Sequence, residues 1–360
     1  MGNVVRKIGS IKKFLVLFVV VLMITLFATC MSHTPKIHDD NGIAELRKIE
    51  LGNVLQTILI RGKDKTNPIL LYLHGGPGTT ELIPFRVYQN DLEKYFTVVL
   101  WEQRGTGKSF SRKIPAETMS IEQFVLDTRE LTIYLLREFN QDKLLLVGHS
   151  WGSALGLMVA SRYPELYYAC VGSGQMVNQK EGEKISYKHL LAKVKGNKKA
   201  CDELISLNEP EPYLTIDKDK SWFEKIKVHR KWLVRSGGEI YNGDDYSLLF
   251  NKRTLTASEY TLIDYLRFWR GSVFSLKTMW PQVMELNFFL QVPEIDLPVF
   301  FLQGRHDFNT PSILVEDYYS QLVSNEKHLI WFENSGHHPM YEEPEKFRKI
   351  LIEKVLPVCK

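Results

Sequence analysis

Gly148-His149-Ser150-Trp151-Gly152 sets a hydroxyl between two glycines, after an apolar run at 144–147 and before a stretch of small residues at 152–160. Strand character followed by helix character around G-x-S-x-G is the pattern of a nucleophile elbow. A serine on so sharp a turn sits in strained backbone, and bulky flanking residues would block it. The turn lifts the hydroxyl clear of the sheet edge and aims the N–H of Trp151 at a developing oxyanion. It also brings the positive end of a helix beneath that charge. Ser150 is thus the candidate nucleophile of an acyl-transfer reaction.

An activated serine needs a base, an orienting acid and a second oxyanion donor. Three further segments supply these types, each just past the carboxyl end of an expected strand, where open α/β sheets build their sites. His74-Gly75-Gly76-Pro77-Gly78 follows strand 69–73 and offers the N–H of Gly76 beside that of Trp151. Gly304-Arg305-His306-Asp307 follows strand 299–302 and offers Asp307 as the acid. Ser335-Gly336-His337-His338-Pro339 follows strand 328–332 and offers two candidate bases, His337 and His338. The chain order Ser, Asp, His is that of an α/β-hydrolase.

With these motifs the chain resembles the proline iminopeptidase-like branch of the α/β-hydrolase superfamily. The resemblance adds Gln103-Arg104-Gly105-Thr106-Gly107-Lys108-Ser109 and spans roughly residues 43–355. It implies His337 as the base, because the family's base follows a glycine, and it implies removal of an N-terminal residue, proline first, from small amide or peptide substrates. In that family cap glutamates hold the substrate amine, one of them in a Trp-x-x-Trp-Glu stretch. Here the nearest local match is Lys231-Trp232-Leu233-Val234-Arg235-Ser236, with Arg and Ser in place of Trp and Glu. Glu183 and Glu239 are the substitutes on offer. The same triad also serves an esterase, lactonase or amidase, since fold does not fix substrate.

The elements that must position these residues read as an α/β fold. Short apolar strands at 69–73, 96–101, 143–148 and 166–171 alternate with amphipathic helices, notably 121–139, and imply a mostly parallel, doubly wound sheet. Gly52-Asn53 signals a hairpin within 43–60. Alternation lapses between 175 and 293, where helical stretches follow one another (186–195, 198–207, 221–234, 258–269). That segment reads as a helical cap inserted between core parts 43–174 and 294–360. Gly107-Lys108-Ser109 ends like a phosphate-binding loop, but Glu102 stands where its first glycine belongs.

Charge and cysteine usage narrow the classes further. The formal charge is +4, and Arg6, Lys7, Lys12 and Lys13 account for it; beyond them 42 basic residues balance 42 acidic ones. No basic footprint for nucleic acid remains. No histidine–carboxylate or cysteine spacing in the sequence suggests a metal, and no cofactor is expected. The four charges precede an uncharged apolar run at 14–28, the arrangement of a signal peptide or signal anchor over residues 1–29. Leu26-Phe27-Ala28-Thr29-Cys30 resembles a lipobox, with lipidation at Cys30. Lipoprotein, uncleaved anchor and secreted protein all place the enzyme outside the cytoplasm, the first two on a membrane. Residues 30–42 read as a tether.

Overall fold

A computed structural model describes residues 32–207, 221–243 and 246–359. The leader expected over 1–29 lies outside the described residues. Among those described, no helix is long and apolar enough to cross a membrane. Part of the expected tether is held against the domain. The His33 N–H donates to Ser258 O at 3.0 Å, and the Thr34 hydroxyl joins Glu259 (2.9 Å) to Arg61 (2.6 Å).

Eight strands form the central sheet: β1 (Ile43–Leu51), β2 (Val54–Gly62), β3 (Ile69–Leu73), β4 (Thr97–Glu102), β5 (Leu144–His149), β6 (Tyr167–Ser173), β7 (Val299–Gly304) and β8 (Lys327–Phe332). Their spatial order is β1-β2-β4-β3-β5-β6-β7-β8. β1, β2 and β4 pair antiparallel, and every other neighbour pairs parallel. The first hairpin closes with Leu51 opposite Val54, and both turn residues, Gly52 and Asn53, have positive φ, as a two-residue hairpin turn requires.

The parallel strands β3, β5 and β7 are buried along their whole length, because helices cover both faces. α1 (Leu82–Gln89) and α9 (Pro344–Ile350) cover one face, with Phe85 and Phe347 against Leu70, Val147 and Phe300. α2 (Ile121–Phe139) and α3 (Trp151–Arg162) cover the other, with Leu131, Leu135 and Leu155 against Leu71 and Leu146. Cys170 lies in this second layer, and burial pushes its thiol up to about 12. α8 (Ser312–Gln321) links β7 to β8.

Between β6 and β7 the described residues are mainly helical: α4 (Gln179–Lys193), α5 (Lys198–Ile205), α6 (Ser221–Arg235) and α7 (Leu262–Val283). Two of these differ from the sequence reading. α4 starts seven residues earlier than expected, because Asn178 caps it by accepting from the Glu181 N–H. α7 runs on to Val283 rather than ending near Trp269. Thr261 and Asp264 form a reciprocal capping box at its start. Gly271 sits inside this helix, where a Cβ would fall 2.6 Å from Gly105 O. Tyr187, Leu190, Leu204, Trp232 and Leu233 give the insertion a small core of its own.

Candidate active site

The carboxyl ends of β3, β5, β7 and β8 carry the five residues singled out from sequence. At the end of β5, Ser150 has φ 53° and ψ −122° and caps α3. That backbone is sparsely populated for a non-glycine residue and persists only where its surroundings enforce it. The flanking glycines show the enforcement. A Cβ on Gly148 would lie 2.2 Å from Gly152 O, and one on Gly152 would lie 2.0 Å from Leu73 O. Close approach of strand to helix therefore demands glycine on both sides of the serine. The Ser150 N–H donates to Ser173 O at 3.0 Å, joining the elbow to the end of β6.

The loop after β3 lies against the elbow, since a Cβ on Gly75 would come within 3.2 Å of Ser150 Cβ. Gln103 clamps the two together: its amide donates to His74 O (3.0 Å), and its oxygen accepts from the Trp151 indole N–H (2.9 Å). His74 is fully enclosed, and burial holds it down to about 4. It is neutral, accepting at Nε2 from the Gln103 N–H and donating from Nδ1 to Gly75 O. Among the described residues, neither the Gly76 nor the Trp151 backbone N–H has a protein acceptor. Two uncommitted donors beside a hydroxyl suit an oxyanion.

Asp307 follows β7 and is saturated. Its Oδ1 accepts from the N–H groups of Asn309 and Thr310, both at 2.9 Å. Its Oδ2 accepts from Gln303 (2.9 Å), the Thr310 hydroxyl (2.8 Å) and His337 Nδ1 (2.9 Å). Burial alone would raise this carboxyl; His337 and the Thr310 donors override it and hold it below the ordinary range. A carboxylate at Nδ1 fixes the proton there and leaves Nε2 with its lone pair. The His337 ring packs against the end of β6, where a Cβ on Gly174 would meet its Cε1 at 3.0 Å. Neither Ser150 Oγ nor His337 Nε2 is hydrogen-bonded among the described residues. In unliganded sites that contact is commonly long and tightens around substrate.

His338 does not share this environment. Its Nε2 lies 3.6 Å from Glu239, its ring packs on Tyr341, and burial lowers its basicity. Together with Glu81 and His149 it forms a buried group whose ligand-type atoms lie within 4.8 Å of one another. Sequence spacing missed this group, because positions 81, 149 and 338 meet only through the sheet order. His149 contacts Glu81 at Nδ1 (2.8 Å) and the His337 carbonyl at Nε2 (2.9 Å). Both partners only accept, so both ring nitrogens carry protons and His149 is an imidazolium. Burial opposes both charges, but mutual attraction raises His149 and holds Glu81 down to about 2. A metal needs lone pairs, and this imidazolium has none. The group instead holds the backbone of His337, whose N–H also donates to Glu239 O at 2.6 Å.

Of the two glutamates suggested for a substrate amine, Glu183 pairs with Arg230 and accepts from Gln179 at 2.6 Å. Glu239 keeps one buried oxygen without a hydrogen-bond partner among the described residues. Arg104, from the motif after β4, is fully buried and pairs with Asp127 at 2.9 Å, a scaffold role.

The alpha/beta hydrolase fold family matches residues 68–197. The probable aminopeptidase YbaC of Bacillus subtilis (strain 168) is 37% identical over 317 residues, covering 88% of this chain and 97% of that protein. A proline iminopeptidase of Heyndrickxia coagulans is 24% identical over 288 residues, covering 78% of this chain and 88% of its own. The crystal structure of a proline iminopeptidase from Mycobacterium smegmatis covers 88% of this chain and 99% of that one, with TM-score 0.59 at 15% identity, a likeness of fold. An eight-stranded sheet in this order, with these relatives across most of its length, has one reading: the chain belongs to the α/β-hydrolase superfamily, in its proline iminopeptidase-like branch.

Proposed function

We propose that the chain is a serine aminopeptidase with Ser150, His337 and Asp307 as its triad and the N–H groups of Gly76 and Trp151 as its oxyanion hole. One observation carries the reading above the rest: Asp307 holds the Nδ1 proton of His337 at 2.9 Å and leaves Nε2 its lone pair, as a base for a serine in elbow geometry. His337 takes the Ser150 proton as Oγ attacks the carbonyl carbon, and Asp307 stabilises the imidazolium so formed. Each oxyanion donor contributes about 3–4 kcal/mol. The leaving amine takes the proton back, and water then releases the acyl group by the reverse sequence.

The substrate class follows from the relatives' names and from Glu239. A desolvated ammonium needs a carboxylate partner, and Glu239 has an oxygen to give while Glu183 is engaged. We read the helical segment 175–293 as a cap that walls off a small pocket, and residues 1–29 as a leader or membrane anchor that puts the domain outside the cytoplasm. Mass spectrometry of the mature N-terminus separates a lipidated Cys30 from an intact anchor and from a cleaved, secreted chain.

Prolyl and alanyl anilides, run beside their N-acetylated forms and short-chain aryl esters, test the activity. Preference for the free amine is expected. Ester turnover with no anilide cleavage would sink the peptidase and leave an esterase on the same triad.

A further inference from the structure

We infer that the outward face of α7, with the groove beside it, docks on an anionic lipid bilayer. The geometry of this inference rests on reading residues 1–29 as a membrane anchor or the leader of a lipoprotein. Helix α7 turns Phe268, Ser275 and Met279 inward. Outward it presents Leu262, Leu266 and Trp269, which are 82%, 59% and 63% exposed, with Ile263 and Val273 in the same stripe. Other exposed large apolar residues, such as Ile205, Leu290 and Val323, stand on separate elements. A contiguous apolar stripe on a soluble surface marks an interaction site, whereas scattered ones do not.

The charge around the stripe has one sign. Arg267, Arg270 and Lys277 are the exposed charges of α7, and its single acid, Asp264, is buried beneath them. Beside the helix a groove of about 630 Å³ runs to the 108–115 loop and the β1–β2 hairpin. Among the described residues six cations line it (Lys48, Lys108, Arg112, Lys113, Arg267, Arg270), and no carboxylate does. Asp264 occupies Lys108 and Arg267. Lys48, Arg112, Lys113 and Arg270 have no ion-pair partner among the described residues. Val54, Leu55, Phe110 and Ile114 supply apolar walls between the cations. An apolar stripe bordered by Lys and Arg is the composition that lies in a bilayer interface and is drawn to anionic headgroups.

The chain's own path selects the bilayer over another partner. Residues 33 and 34 are pinned to Ser258 and Glu259, three to four positions before Leu262. From residue 28, the last of the apolar run, to residue 32 is at most about 14 Å of extended chain. An anchor ending at 28, or a lipid on Cys30, therefore holds the start of α7 within reach of the membrane surface.

The test uses the full chain in vesicles whose acyl chains carry bromine near the headgroup, rich in phosphatidylglycerol or made of phosphatidylcholine alone. Flotation with the vesicles reads the anchor. Bromine quenching lost on Trp269→Phe reads the face. Quenching on the anionic vesicles that disappears in this variant, and that falls on the order of tenfold in Arg267→Gln/Arg270→Gln, supports the inference. The variants' unfolding midpoints check that they fold. A chain that floats while Trp269 stays unquenched keeps its anchor and overturns the docking face, as does a chain that neither floats nor is quenched. Equal quenching on phosphatidylcholine overturns the anionic partner. A Trp269 environment that turns apolar with protein concentration before lipid is added assigns the face to a second copy of the chain, and overturns the inference too.

Discussion

The strand ends and the helical insertion meet at one site but are built by different physics. At the strand ends, position is enforced by backbone. Ser150 is trapped between glycines that admit no Cβ, and Asp307 is held by two N–H groups of its own turn. In the insertion, position depends on side chains reaching across: Arg230 to Glu183, Lys231 to Glu203, Tyr246 to Glu239. Backbone constraints leave a residue-type signature in sequence; long-range side-chain pairs leave none. The chemistry of this chain is accordingly written in short motifs, and its selectivity is not.

The largest expected effect lies at the strand ends. Ser150→Ala and His337→Ala should each lower kcat by on the order of 10⁶ and abolish labelling by a fluorophosphonate, as removal of either member of such a pair does. His338→Ala should keep the label, because its ring faces Glu239 rather than Asp307. Labelling lost in His338→Ala and kept in His337→Ala would reverse the assignment.

Asp307→Asn probes the same region more gently. An amide at Oδ2 can offer Nδ1 a donor, which moves the histidine proton to Nε2 and removes the base. A drop in kcat of about 10⁴ with KM little changed is expected. A drop under about tenfold would mean that another group orients His337.

These strand-end residues were legible because each needs a turn after an apolar strand, and such turns demand glycine or a short polar residue at fixed places. The base could be narrowed to His337 or His338 by motif; only the contact with Asp307 separates them geometrically. The ends of two helices were less legible: α4 starts at its Asn178 cap, and α7 runs on past Gly271, where Gly105 passes too close for a side chain. The Glu81–His149–His338 group was out of reach altogether, as its members lie on three separate segments.

Within the insertion, Glu239→Gln should cut kcat/KM for free-amine anilides by roughly 10–100-fold, the worth of a hydrogen bond to a charged group, and leave N-acetylated and ester substrates near their original rates. An equal loss on all substrates would show instead that the Glu239 carboxylate acts on the base loop through its contact with His338. A selective loss would locate specificity in the insertion and sharpen the contrast with the strand ends.

The smallest expected effect lies at the junction of the two regions. Glu102 ends β4 and is fully buried; it accepts from the Thr80 hydroxyl and the Lys108 N–H, each at 2.7 Å. Tyr260, from the segment leading into α7, donates to it as well. Burial pushes this carboxyl up to about 7, from an ordinary value of 4.5. The folded chain thus keeps a proton that the unfolded chain has already lost. The stability tied to that proton is fully present below pH 4.5, declines as pH rises, and is gone above about 7. Its upper bound is about 3 kcal/mol. Glutamine can accept from Lys108 while the two hydroxyls turn to receive its amide, so Glu102→Gln should remove the slope. The expected result is a gain of about 1–3 kcal/mol at pH 8 and little change at pH 4.5, read from urea unfolding at both. An unchanged slope in the variant would mean that Glu102 is ionised in the folded chain, held so by Lys108. The junction between strand ends and insertion would then be an ionic contact rather than a protonated one.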